Sequence, residues 1–166
     1  MKITILLMFA AIIAGTLVSC GGDRRIEDLE RSYEQIEWRM ERIESVMDKV
    51  QKSKFKEQAK EFDWTLSEIE KNASRLGKEL DDVFNSKNEA GEFSNSEIDD
   101  TMITLDQLEE DTNELTADVA QMKSKLTREG SPEDYKSIEK LENELKSMAT
   151  EIGRMRNNLE NMKRND

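Results

Sequence analysis

The chain has 166 residues, with 25 Lys and Arg, 37 Asp and Glu and no histidine, for a formal charge of −12. Hydrophobic residues make up 36% and charged residues 37%, with a single proline, which argues against a β-rich or α/β globule and for long, mostly solvated helices. The lack of histidine excludes Ser-His, Cys-His and histidine–metal chemistry, and the acidic balance disfavours nonspecific nucleic-acid binding, which needs net positive charge.

At the N-terminus, Lys2 supplies a short positive region and Ile3 to Ala14 is almost wholly apolar. That stretch has the length of a secretory h-region and is short for a membrane span. Next come Leu17-Val18-Ser19-Cys20 and then Gly21-Gly22. This run resembles the lipobox of bacterial lipoproteins, a likeness confined to the first 20 residues. The resemblance implies that residues 1–19 are a signal peptide and that Leu17, Val18 and Ser19 form its cleavage motif. It also implies that Cys20 becomes the new N-terminus, bearing a thioether-linked diacylglycerol and an acylated amine, the kind of site that palmitate labels. Each buried methylene contributes about 0.8 kcal/mol, so two or three chains anchor durably. Gly21, rather than Asp, leans the expected location toward the outer membrane of the cell envelope. Cys20 is the only cysteine, so no intramolecular disulfide can form.

After a linker over residues 20–25, apolar residues recur at three-four spacing: Ile26, Leu29, Tyr33, Ile36, Met40, Ile43, Met47, Val50. This is the a/d pattern of a heptad helix, assigned to residues 26–54. A second stripe runs Phe55, Ala59, Phe62, Leu66, Ile69, Ala73, Leu76, Leu80, Val83. The step from Val50 to Phe55 turns the stripe by about 140°. Either the chain turns near Gln51-Lys52-Ser53-Lys54, or one helix shows two faces to two sets of neighbours. Those four residues are helix-permissive, so the reading favours continuity. Residues 26–54 are then a stalk or a fourth bundle helix.

Asn85 to Ser96 is rich in turn residues and reads as a loop, with Ser96 or Asn95 capping the next helix. The third stripe carries Ile98, Met102, Leu105, Leu108, Leu115, Val119, Met122 and Leu126, interrupted at Thr112. Gly130 stops it, and Ser131-Pro132-Glu133-Asp134 restarts a helix with a cap, Pro at N1 and acids in the first turn. The fourth stripe is Ile138, Leu141, Leu145, Met148, Ile152, Met155, Leu159, Met162. The expected fold is all-α: an elongated antiparallel helical bundle or coiled coil of three to four long helices, with residues 55–164 as its body. Its core is narrow and leaves no roomy ligand cavity.

Charge is unevenly placed. Residues 85–119 hold one basic and 11 acidic side chains. Within them Asp106, Glu110, Glu114 and Asp118 repeat every four residues, a spacing at which like charges repel. Such a stripe can be a solvated face, a surface for a basic partner, a weak cation site or a match for the chain's own cations, with Lys49, Lys52, Lys54, Lys56 and Lys60 as one basic cluster. Without histidine, and with acids off the apolar stripes, no metal centre and no cofactor is expected. Trp38 lies outside the first stripe beside Arg31, Arg39 and Arg42, where it either packs on another helix or meets a partner. Trp64 and Phe55 are expected to fill space at the register shift. The methionines from Met40 onward are expected to pack in the core.

No catalytic constellation is present, so no enzyme is expected. The leading functional expectation is a lipid-anchored structural spacer or protein-interaction module, with the membrane and an unidentified protein as partners, no nucleic acid, and self-association through residues 26–50 as an option. The alternative is a periplasmic chaperone-like module that binds lipid or apolar clients.

Overall fold

The computed structural model describes residues 24–53, 56–90, 93–129 and 131–164. The expectations placed on residues 1–19, on Leu17, Val18, Ser19 and Cys20, on Lys54 and Phe55 and on Gly130 lie outside the described residues. The chain folds into four helices: α1 (Arg24–Val50), α2 (Lys56–Ala90), α3 (Asn95–Glu129) and α4 (Pro132–Arg164). They contain 27, 35, 35 and 33 residues, so each is a rod of about 40–50 Å.

The apolar stripes explain the packing. Leu29, Ile36, Ile43 and Met47 of α1 are buried together with Ile69 and Leu76 of α2, Leu105, Leu108 and Leu115 of α3, and Ile138 and Leu141 of α4. Burying each such side chain contributes about 1.5–3 kcal/mol. All the methionines from Met40 onward are buried except Met102, which packs partly buried against the core.

Neighbouring helices run antiparallel. Near the α1–α2 turn, Gln51 Nε2 donates to Asp63 Oδ1 at 2.6 Å, and farther along Tyr33 meets Gly77. Asn72 donates to Asp111 at 2.8 Å between α2 and α3. Lys123 reaches Glu142 and Lys163 reaches Asp99 between α3 and α4. The result is an up-down-up-down bundle. α1 packs closely along α4, α4 along α3 and α3 along α2, whereas α1 and α2 approach closely over only a short stretch.

Three expectations need correction. The favoured continuity across residues 51–54 is wrong: α1 ends at Val50, and its chain folds back as the fourth helix of the bundle. Its end is closed by the Ser53 hydroxyl, which donates to the Val50 carbonyl at 2.6 Å, and by the Gln51, Lys52 and Ser53 amides, which donate to Met47, Lys49 and Val50. The reversal lets both stripes, which face differently, be buried in one core, even though the residues at the break tolerate helix.

The loop expected over residues 85–96 is mostly helix, since α2 runs to Ala90. Ser86 does not break it because its hydroxyl donates back to the Val83 carbonyl at 2.7 Å and accepts from the Ser94 amide at 3.0 Å. Phe93 follows, buried, with Arg25 and Lys87 over its ring at 4.9 and 4.8 Å. The cap of α3 is Ser94 rather than Asn95 or Ser96: its Oγ accepts from the Glu97 amide at 3.4 Å.

The α4 start is as expected. Ser131 Oγ accepts from the Asp134 amide at 3.2 Å, and the Asp134 carboxylate accepts from the Ser131 amide at 3.3 Å, a reciprocal capping box ahead of Pro132. Thr112, which interrupts the third stripe, is fully buried with its hydroxyl donating to the Leu108 carbonyl at 2.6 Å. Returning its hydrogen bond to the helix lets a polar residue occupy a core position at little cost.

Candidate functional site

The four carboxylates of the α3 stripe have different fates. Asp106 pairs with Arg156 of α4, which also pairs with Glu109. Burial disfavours the Arg156 cation, but hydrogen bonds and charge from Glu109 and Asp106 outweigh it and push its pKa up. Glu110 and Glu114 stand exposed and Asp118 is half-buried. The stripe winds from the α4 side of α3 toward α2, because a four-residue step advances about 40°. Of the expected basic cluster, Lys60 pairs with Glu57 one turn away on its own helix.

Beside the stripe, the α2–α3 face opens into a groove of about 430 Å³ lined by Arg75, Glu79, Asp82, Glu97, Asp100, Ile103 and Thr104. Arg75 is fixed at its head: Nε donates to Thr104 Oγ1 at 2.9 Å, its terminal nitrogen donates to Gln107, and Glu79 lies 3.5 Å away. One carboxylate oxygen of Glu79 and one of Glu97 are buried without a hydrogen-bond partner. Ile103 is 55% exposed at the rim. The groove therefore combines surplus negative charge, unused acceptors and an apolar edge. Among the described residues, no group of three or more carboxylates is arranged to hold a metal ion. The sequence reading missed this groove because half of it comes from α2, outside the acidic region of the chain.

Trp38 resolves differently. Its ring lies 4.4 and 4.5 Å from the Arg39 and Arg42 guanidinium carbons, and it stays 42% exposed. Both arginines bind Glu144 of α4, Arg39 at 2.7 Å and Arg42 at 2.6 Å, and the Glu144 side chain is only 5% exposed. Trp38 thus covers an ion triad centred on the buried Glu144. Glu144 was not singled out from the sequence, since its partners lie 105 and 102 residues away. Trp64, expected at the register shift, is instead 66% exposed, on the side of α2 opposite the buried Phe62 and Leu66.

No described helix is long and apolar enough to cross a membrane. No family model matches the chain, and no curated protein or solved structure shows significant similarity to it.

Proposed function

We propose that the protein is a lipid-anchored, non-enzymatic spacer and protein-interaction module of the bacterial cell envelope, tethered through Cys20 and presenting the acidic α2–α3 face to a basic protein surface. The observation that carries the second half is the groove: four carboxylates, two with a buried and unpartnered oxygen, stand around one arginine and an exposed isoleucine. A lysine or arginine side chain from a partner can pair with the exposed carboxylates of Asp82 and Asp100, and its methylene stem suits the Ile103 edge.

The bundle's topology supports the tether. The start of α1, four residues after Cys20, shares one end of the rod with the end of α2, the start of α3 and the end of α4. A lipid at Cys20 therefore leaves the α1–α2 and α3–α4 turns at the far end, about 50 Å away. The acidic groove, with Glu97 and Asp100 in the first turns of α3, lies in the half nearer the anchor. The apolar stripe of residues 26–50 is consumed within the chain's own bundle, so self-association through it requires α1 to leave its neighbours.

Fractionation of cells expressing the parent and Cys20→Ala tests the tether: the parent sediments with membranes and the variant does not. A variant that stays with membranes contradicts it. Photo-crosslinking from Ile103 and Glu114 in the intact envelope tests the face. Salt-sensitive crosslinks to a lysine- or arginine-rich surface are expected there, and their equal occurrence from exposed positions of α4 would reject it.

A further inference from the structure

The loosest face of the bundle is also rich in carboxylates. Where α1 faces α2, Tyr33 carries Glu30 one turn before it and Glu37 one turn after it, and α2 offers Gly77 and, one turn on, Asp81. The Tyr33 hydroxyl hydrogen-bonds to Glu37, and its ring end lies against Gly77, where any added Cβ would meet Tyr33 Cζ at 2.8 Å. Glu30, Glu37 and Asp81 are all half-buried.

Most of the other charges around this seam are acidic; at its α1-start end Arg25 and Lys87 lie over Phe93, and Lys71 pairs with Glu68 on its own helix. α1 contributes Glu27, Glu34 and Glu41, and α2 contributes Glu70, one heptad before Gly77, while Asp82, next to Asp81, turns to the α3 groove. Arg31 is taken by Asp28, and Lys78 is exposed on the outer side of α2. On the opposite flank of α1, α4 faces Arg39 and Arg42 with Glu144; on the opposite flank of α2, α3 faces Arg75 with Thr104 and Gln107. Those cations are therefore committed away from the seam.

We propose that the α1–α2 seam is a pH-operated opening: ionisation of Glu30, Glu37 and Asp81 parts α1 from α2 while α1 stays on α4 and α2 on α3, and protonation closes the ring over Tyr33. Among the described residues, the Tyr33–Gly77 contact and the Gln51–Asp63 hydrogen bond join the two helices, whose backbones approach closely over only a short stretch.

The titration behaviour agrees in sign. Burial raises Glu30 above 4.5, with Glu34, Glu27 and Asp81 adding to it. Burial also raises Glu37, against the hydrogen bond from Tyr33 and with help from Glu41 and Glu34. Asp81 rises from 3.8 through burial and Asp82. Carboxyls with a raised value in the closed state bind more protons there than when open. Closure is thus fully favoured below the ordinary carboxylate range and is lost as pH climbs through the raised values.

Spin labels at Arg31→Cys and Lys78→Cys, in the full chain carrying Cys20→Ser, measure the distance across the seam. The ratio of far to near populations is expected to rise about tenfold between about pH 5 and about pH 7.5, while labels at Gln121→Cys and Lys140→Cys, between α3 and α4, do not move. The Glu30→Gln, Glu37→Gln, Asp81→Asn variant should remain near at every pH. If that triple variant does not fold, Glu37→Gln alone should weaken the dependence. A parent whose populations ignore pH, or variants that respond as the parent does, overturns the proposal.

Discussion

Two glycines in helix interiors separate local cost from packing cost. Glycine is about 1 kcal/mol worse than alanine inside a helix. At Gly153 nothing lies within 4 Å of an added Cβ, so Gly153→Ala should raise stability by about 0.5–1 kcal/mol. At Gly77 the Tyr33 ring occupies that space, and Gly77→Ala should instead lower stability by about 1–3 kcal/mol through overpacking. Chemical denaturation reads both, and Tyr33→Phe should recover part of the Gly77→Ala loss by removing the atom nearest the new methyl. The same scale distinguishes two kinds of carboxylate. Glu144→Ala strands two arginines beneath Trp38 and should cost about 2–3 kcal/mol, with a shift in tryptophan emission. Glu114→Ala removes an exposed charge from a repelling stripe and should change stability by less than about 0.5 kcal/mol.

At the scale of the element, caps and ion pairs set where helices begin and how they respond to acid. Ser131→Ala removes the oxygen that accepts from the Asp134 amide and should cost about 1 kcal/mol, visible as a lower melting temperature. Glu142 is held below its ordinary 4.5 by hydrogen bonds from Lys123 and Lys146. Its contribution is therefore present above the ordinary carboxylate value and lost as pH falls through the lowered one. Glu142→Gln should flatten the acid limb of the stability curve of the α3–α4 pair. Helix identity was legible in the sequence because three-four spacing reports a buried stripe directly. The α1–α2 reversal was legible only as the angular jump between Val50 and Phe55, since no residue there forbids helix. Asn85 to Ala90 misled for the converse reason: their composition suits a loop, but Ser86 satisfies the helix it sits in. The Arg39–Arg42–Glu144 triad and the α2–α3 groove were not legible, because each joins residues from helices distant in the chain, and spacing within one helix carries no information about its neighbour.

On the scale of the whole molecule, one imbalance runs through the account. A chain of net charge −12 folds into a narrow rod with surplus carboxylates on the α2–α3 groove and along the α1–α2 seam. Salt should therefore raise the melting temperature by screening self-repulsion and should weaken any basic partner at the groove. The proposed tether would place this rod at a membrane, and it rests on one thiol. Intact-mass measurement of the protein extracted from its native membrane addresses that most directly. The account predicts a chain that begins at Cys20 and carries the mass of a diacylglycerol plus an acyl group. A chain that retains Met1, or one that begins at Cys20 with no added mass, would contradict it.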